Sequence, residues 1–395
     1  MHLVIISPFP PAITGIGQYG YHVTRALAKS GMFTRITVLA GSEISGAIPN
    51  DLGLTELDYC WVPGQFSARH AILSRVNSLK PDIVWFNAGA SVFGRSPWVN
   101  VSGLFTPMLV QRLGYPTVVT LHELIELTDL RTLNAPGGPF AKVGARLLTN
   151  IATQADVLCL TMRHYSDWLK ARKVDCVHIP IGAYHEPELL EESDSQELLF
   201  FTTLAPFKGL ELLLEAFQLL RVENRELKLT IAGSEHVRFP DYFHELKLRF
   251  AHIDGVNWLG QTSEDDVIEL FRQAQIIVLP YLASTGASSV LYQAATWGRA
   301  VVASNLNEIK KLTIESDLQV EFFDNGDVES LRNLIRNLID SKQKRLSQTS
   351  HNFCAIQRTR PQETCRKYIQ AFNHALEKRQ SLKRIAFPIS EQKSA

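Results

Sequence analysis

Short, almost uninterrupted runs of Val, Ile, Leu and Phe alternate with amphipathic stretches along nearly the whole 395-residue chain. No other feature limits the fold as strongly. In the first half the runs fall at 3–7, 36–40, 83–87, 117–121, 157–161 and 177–179. In the second they fall at 198–204, 227–232, 256–259, 276–280, 300–303 and 320–323. They lack strict apolar/polar alternation, so each predicts a strand covered on both faces, as in a parallel sheet. The stretches between them have helical spacing. Leu213, Ala216, Phe217 and Leu220 share one face, as do Val267, Ile268, Phe271 and Ala274, and Ser263 with Asp266 forms a capping pair. Repeated strand-then-helix order builds parallel sheets flanked by helices.

The pattern stops at the polar stretch 184–197 and then restarts. The expected organisation is therefore α/β with two Rossmann-like domains, 1–183 and 198–359, joined by the linker 184–197. A last helical stretch covers 360–378, and a polar tail covers 379–395. Lys+Arg and Asp+Glu are 40 each, which gives no overall electrostatic case for nucleic acid. No apolar run approaches the ~20 residues that span a bilayer. The opening Met1-His-Leu-Val-Ile-Ile-Ser-Pro has no basic n-region and reads as a buried strand rather than a signal peptide. The five cysteines lack CxxC spacing, which argues against a disulfide framework and a zinc site and for a cytoplasmic location.

Three segments suit an anionic ligand. Gly15-Ile-Gly17-Gln-Tyr-Gly20 opens the first helix. It matches the dinucleotide fingerprint literally, but that fingerprint needs its glycines directly after strand one and an acid at the end of strand two. Here Pro8-Phe-Pro-Pro-Ala-Ile-Thr intervenes and strand two ends Thr37-Val-Leu-Ala-Gly, which argues against NAD. The glycines instead suit a loop that lets backbone approach a ligand, or a tight turn that lets the helix pack. Lys208 follows a strand, at the carboxyl edge where open α/β folds bind ligands, and suits a phosphate as well as a solvated turn. Thr285-Gly286-Ala287-Ser288-Ser289 leads into an apolar helix, where small residues expose N–H groups to an anion or serve as an ordinary cap. His122 ends the 117–121 strand at the same kind of edge. Asp324-Asn-Gly-Asp327 lies at a strand-to-helix turn and reads as a helix cap rather than a metal site.

In order, these segments resemble the retaining glycosyltransferases of the GT-B fold, specifically family 4, over about residues 2 to 375. The similar pieces are Gly15-Ile-Gly17-Gln-Tyr, Val119-Thr-Leu-His122-Glu, Phe201-Thr-Thr-Leu-Ala-Pro-Phe-Lys208-Gly209, Leu229-Thr-Ile-Ala-Gly233, Val256-Asn-Trp-Leu-Gly260 and Ala294-Ala-Thr-Trp-Gly298-Arg. The resemblance implies parallel sheets facing a central cleft, with a last helix crossing back to the first domain. It implies a nucleoside-diphosphate sugar held mainly by the C-terminal domain and a saccharide or lipid-linked acceptor on the N-terminal one. Lys208 would neutralise the diphosphate, the amides around Gly286–Ser289 would cradle it, and His122 would touch the donor sugar or aid the transition state. No metal or other cofactor is implied, because the Lys and the helix terminus replace it electrostatically.

The chain departs from the family pattern at three positions. Thr285 and Gln293 stand where the family usually carries two glutamates, for donor-sugar hydroxyls and ribose respectively, and Thr203 stands where an Arg usually precedes the Lys. Losing a charged partner to a diphosphate costs about 1.5–3 kcal/mol unless another group compensates. The expected function is retaining sugar transfer, in the cytoplasm and in part at the inner membrane face. Segments 98–113 and 140–148 mix apolar residues with Arg and Lys, which suits a membrane surface as well as ordinary helix faces. The rival readings are a non-catalytic glycosyltransferase-like binding subunit and a GT-B sugar-nucleotide epimerase.

Overall fold

The structure is a computed structural model, described for residues 1–12, 14–42, 51–89, 91–94, 96–127, 139–236 and 238–386. The first sheet contains β1 (His2–Ile6), β2 (Arg35–Gly41), β3 (Thr55–Trp61), β4 (Ile83–Ala88), β5 (Thr117–Leu121), β6 (Val157–Leu160) and β7 (Val177–His178). Its order is β3-β2-β1-β4-β5-β6-β7, parallel throughout. The second sheet contains β8 (Glu197–Phe201), β9 (Lys228–Ala232), β10 (Val256–Gly260), β11 (Ile276–Leu279), β12 (Ala300–Ser304) and β13 (Glu321–Phe323). Its order is β10-β9-β8-β11-β12-β13, again parallel. Strand order reverses between β1 and β4 and between β8 and β11, and ligands of such folds bind outside the strand ends beside that reversal.

The runs are continuous because both strand faces are buried. Leu198, Phe200, Ile276, Val278, Ala300 and Val302 pack into one apolar cluster, while Leu199, Ile277, Leu279, Val301 and Ala303 belong to the other. Strand β3 was not expected from the sequence. Its Thr-Glu-Leu-Asp-Tyr-Cys-Trp lies at the sheet edge and is mostly half-buried, so it never forms an apolar run. Ser263 caps helix Glu264–Gln273 through Asp266 N at 3.3 Å, and Asp327 caps helix Val328–Asp340 through Ser330 N at 3.0 Å.

The last helix, Pro361–Ala386, packs against helix Gly15–Lys29 and strands β5 and β6 of the first sheet. Tyr368 anchors it. Its hydroxyl lies 2.7 Å from Tyr19 Oη and 2.8 Å from Thr120 Oγ1, and Trp85 Nε1 donates to the same Thr120 oxygen at 2.9 Å. The helix runs past the expected end at 378 because Lys378 Nζ donates to the Asp156 carbonyl at 2.9 Å and Arg379 pairs with the buried Asp156 carboxylate at 3.0 Å. The rest of the expected tail, 387–395, lies outside the described residues.

The Tyr368→Phe variant should lose about 1–3 kcal/mol of stability, because Tyr19 and Thr120 would be left with a buried hydrogen-bond gap. Thermal and denaturant unfolding measure this, and unchanged stability would contradict the anchoring role.

Candidate functional site

The carboxyl ends of the two sheets approach each other and enclose a cavity of about 710 Å³. Thr14, Gly15 and Ile16 at the start of the first helix line it with His122 and Glu123 after β5. Thr203, Phe207 and Lys208 after β8, Glu235 and His236 after β9, and Thr285, Ala287 and Ser289 complete the wall formed by the second sheet. Phe9, Trp61, Pro63, Val92 and Gly94 close the first-domain end.

His122 is held by a short relay. Asn87 Nδ2 donates to Ser7 Oγ at 2.9 Å and to the Ile16 carbonyl at 2.8 Å, so its Oδ1 is the acceptor for His122 Nε2 at 2.6 Å. The assignment puts the ring proton on Nε2 and leaves Nδ1 as the basic nitrogen. The edge of Tyr19 meets the ring with centroids 4.8 Å apart. Burial pushes the His122 pKa down to about 3, so the imidazole is neutral at physiological pH. Gly20 makes the relay possible, because a Cβ there would run into Ser7 Oγ and Asn87 Nδ2. The first helix can then seat against β1 and β4. Gly17 does not line the cavity; its N–H donates to the Thr14 cap at 2.9 Å.

Lys208 ends a short 3-10 turn, Pro206–Lys208. Its ammonium lies 3.9 Å from the centroid of the Tyr281 ring, and among the described residues no carboxylate pairs with it. Burial pushes its pKa down to about 8. A half-buried ammonium without an acid partner suits an external anion. The Tyr281 face, a weak electrostatic partner, holds the side chain meanwhile.

The loop after β11 divides its work. Thr285, Ala287 and Ser289 line the cavity, while Gly286 faces the other domain with φ +71°. A Cβ on Gly286 would collide with the His122 carbonyl, and its N–H donates to Tyr165 Oη at 3.2 Å. That amide is therefore committed to the protein in this arrangement. Ser288 is the N-cap position of helix Ser289–Thr296, where Gln293 is buried. Gln293 lines a smaller recess of about 90 Å³ that shares Thr14, Gly15, Tyr184, Thr203 and Ser289 with the main cavity.

Sequence spacing carries no signal for two interdomain contacts. Glu315 Oε2 accepts from the backbone N–H groups of Arg163 and His164, at 2.8 and 3.3 Å, so a carboxylate of one domain caps helix Arg163–Lys170 of the other. The second contact joins His22 on the first helix, His185 between the two sheets and Glu264 after β10. The two Nε2 atoms lie 2.8 and 3.3 Å from Glu264 Oε1. Burial raises the Glu264 carboxyl pKa, but the contacts with His185 and His22 outweigh it and hold the group well below the usual carboxylate range. The three side chains place metal-ligating atoms within 4.8 Å of one another. Their surroundings have the wrong polarity for a cation: Arg25 lies 3.4 Å from Nδ1 of both histidines, where metal-bound imidazoles need an acceptor for the opposite N–H. The cluster is a contact between a carboxylate and two imidazoles that joins the two halves.

With this geometry in place, comparisons with known proteins define the class. Residues 185–353 match the model of the family "Glycosyl transferases group 1". YqgM of Bacillus subtilis (strain 168), an uncharacterised glycosyltransferase, is 28% identical over 173 residues, 44% of this chain and 47% of YqgM. The match thus spans about half the length of that curated relative. HepE of Anabaena, solved in complex with UDP and glucose, has a TM-score of 0.71 at 16% identity, covering 94% of this chain and 99% of HepE. Sucrose-phosphate synthase of Thermosynechococcus elongatus has a TM-score of 0.72 at 15% identity, covering 95% and 99%. The trehalose-6-phosphate synthase OtsA has a TM-score of 0.67 at 13% identity, covering 94% and 99%. Residues 185–353 are thus similar to a glycosyl transferases group 1 domain, and the chain has the GT-B fold of these solved structures.

If Lys208 meets the anion, nucleoside-diphosphate affinity should fall as pH rises through about 8 in the free protein, by up to about tenfold per unit, as the ammonium loses its proton. In Lys208→Ala the same titration should be flat between pH 7.5 and 9.5. Calorimetry with UDP and GDP over that range tests it, and a wild-type affinity independent of pH would remove Lys208 from the anion site. His122 should contribute no titration between pH 5 and 8.

Proposed function

We propose that the protein transfers a sugar, with retention of anomeric configuration, from a nucleoside-diphosphate sugar to a saccharide or lipid-linked acceptor. The carrying observation is the half-buried Lys208 ammonium, which shares one interdomain cavity with the neutral His122. A diphosphate answers the need of Lys208 for an anion, and as the leaving group it gathers charge when the glycosidic bond breaks. Stabilisation of that charge by a preplaced cation in a dry cleft lowers the barrier directly. Thr285, Ala287 and Ser289 add small polar and backbone groups on the same wall. Thr203, in place of a second cation, leaves Lys208 as the principal charge there.

His122 enters from the opposite wall. Its Nε2–H is committed to Asn87, and its neutral ring offers Nδ1 as an acceptor for a donor-sugar hydroxyl. The acceptor occupies the first-domain end of the cavity, where Phe9, Trp61 and Val92 provide apolar and aromatic surface for a sugar face. Attack from the same face as the leaving phosphate, with that phosphate taking the acceptor proton, gives retention without an enzyme nucleophile. No metal or cofactor is part of this mechanism. The UDP in the HepE complex supports a nucleotide in this kind of cleft.

A lipid-linked acceptor, reached at the inner face of a membrane, is supported by the helices Pro97–Leu104 and Pro139–Ala152, which pack together. They expose Trp98 (74%), Val143 (66%) and Leu147 (50%), beside Arg146, which pairs with Glu126 at 3.1 Å. Apolar side chains exposed on adjacent helices suit insertion into a lipid surface. Among the described residues no helix is long and apolar enough to cross a membrane.

Wild type incubated in EDTA with UDP-, GDP-, ADP- and dTDP-sugars should release nucleotide from one donor, and Lys208→Ala should lower that rate about 10- to 100-fold. Nucleotide binding without turnover in the presence of saccharide and lipid acceptors would favour the non-catalytic subunit instead. In flotation with vesicles containing anionic phospholipid, wild type should rise with the lipid. A Trp98→Ala, Val143→Glu double variant should stay behind with its donor hydrolysis intact, and equal flotation would remove the membrane contact.

A further inference from the structure

We propose that Glu264, His22 and His185 form an acid-sensitive latch, which holds the two halves of the molecule together at neutral pH and releases them in mild acid. It needs no nucleotide and stands independently of the proposed sugar transfer. Its parts come from three places: His22 on the first helix, Glu264 at the start of the helix after β10, and His185 in the chain that joins the sheets. That joining chain is anchored on both sides of His185. Ala183 N donates to the Thr359 carbonyl at 2.8 Å, and Glu188 N donates to the Thr296 carbonyl at 2.9 Å. The Arg299 guanidinium then donates to the Leu190 and Glu191 carbonyls at 3.0 and 2.8 Å, which ties this stretch to the second half. His22 stands on the other half, so a rotation that parts the halves parts it from Glu264.

The donor and acceptor pattern fixes the protonation state that fits. Arg25 lies 3.4 Å from Nδ1 of both imidazoles, and a guanidinium only donates. Both Nδ1 atoms are therefore acceptors, and each ring carries its single proton on Nε2. His185 Nε2 donates to Glu264 Oε1 at 3.3 Å. His22 Nε2 lies closer, 2.8 Å from the same oxygen, although its N–H is not aligned on it. Two neutral rings thus bridge the Glu264 anion and the Arg25 cation, which is itself paired with Asp51 at 3.2 Å. The other groups against the rings carry no charge. Tyr184 stacks on His22 with centroids 4.3 Å apart, Tyr21 meets its edge at 4.9 Å, and Trp297 lies 5.5 Å from His185.

Acid removes the fit. A proton added to either ring must go to Nδ1, which turns an acceptor into a donor facing the Arg25 guanidinium. His22 has almost no solvent to relieve this, since its side chain is 3% exposed. Burial above all holds the His22 pKa below its ordinary value; Glu264 raises it, and His185 and Arg25 lower it further. Once the halves part, the ring meets water and titrates near its ordinary value of about 6.5. Protons thus bind the parted form more readily. The closed form keeps its full advantage above that value and loses it as pH falls below, by up to about tenfold per unit for one proton. The Glu264 carboxylate, held well below the usual range, stays charged throughout.

The test is small-angle X-ray scattering of the ligand-free wild type from neutral pH into mild acid, with far-ultraviolet circular dichroism on the same samples. The radius of gyration should rise as pH falls below about 6.5, with the dichroism unchanged. Glu264→Gln, which removes the charge that both rings face, should give the larger radius already at neutral pH. In a His22→Gln, His185→Gln double variant neither ring remains to titrate, and the radius should not change with pH. Arg25→Gln removes the cation that opposes the second proton on each ring; it should shrink the step, and it serves if the double variant does not fold. A wild-type radius independent of pH overturns the latch. So does a step retained in full in the histidine or Arg25 variant, or a Glu264→Gln radius equal to that of wild type at neutral pH. A step that coincides with loss of dichroism is unfolding and overturns it as well.

Discussion

The cavity exists because the backbone at Gly286 lies directly against the His122 carbonyl. Only a residue without a Cβ, at a φ of +71°, allows the loop after β11 to come this close to the end of β5. The contact brings the carboxyl edges of two parallel sheets together. It places the Lys208 ammonium and the His122 imidazole in the walls of one enclosed space. Glu315 capping the helix Arg163–Lys170 and the Glu264 relay with His22 and His185 hold the same approach from either side. The Glu315 and Glu264 contacts are polar, whereas the last helix is tied to the first sheet largely by apolar packing of Tyr368 and Phe372 against Trp85 and Phe33. A permanent apolar tie beside polar contacts around a cleft is a construction suited to opening and closing around a ligand.

The electrostatics of the cleft are arranged by burial rather than by charge pairing. The chain has equal numbers of acids and bases, so no net field draws an anion in. Instead a single half-buried ammonium sits over an aromatic ring, and desolvation lowers its pKa to about 8. The facing imidazole is kept neutral by the same desolvation. A site of this kind is selective: a diphosphate gains a strong partner in low dielectric, while a neutral ligand gains nothing there. In the proposed reading this accounts for a diphosphate leaving group handled with few cations, and it explains how Thr203 and Thr285 can stand where more strongly interacting residues are usual.

Much of this was legible along the chain. The buried strands read directly as apolar runs, and β3 escaped because an edge strand keeps one side half-wet and its residues mixed. His122, Lys208 and the Thr285–Ser289 turn are legible because each comes after an apolar run, and in a parallel sheet every run ends at the ligand-binding edge, whereas Thr203 and Gln293 stand out only through the family resemblance. Gly15 and Gly17 were read together, but the fold separates them: Gly15 lines the cavity, and Gly17 completes the helix cap. Gly286 was read as an amide donor to the ligand, and in the structure its N–H goes to Tyr165. Asn87, Tyr165, His22, His185 and Glu264 carried no signal, because their partners are distant in sequence and polar residues near loops are common.

The sequence by itself determined two parallel α/β sheets and which strand ends could carry chemistry. These follow from local periodicity and from the rule that a strand buried on both faces must be apolar throughout. Only the tertiary structure decided which of those strand ends face each other and which amides remain free. It alone paired the Glu264 carboxylate with two histidines rather than with solvent. Those outcomes depend on how one domain is set against the other, and that placement is fixed by a few close contacts between residues far apart in the chain, such as Gly286 with His122 and Tyr19 with Tyr368. No local pattern encodes them, because each partner is an ordinary residue until the other arrives.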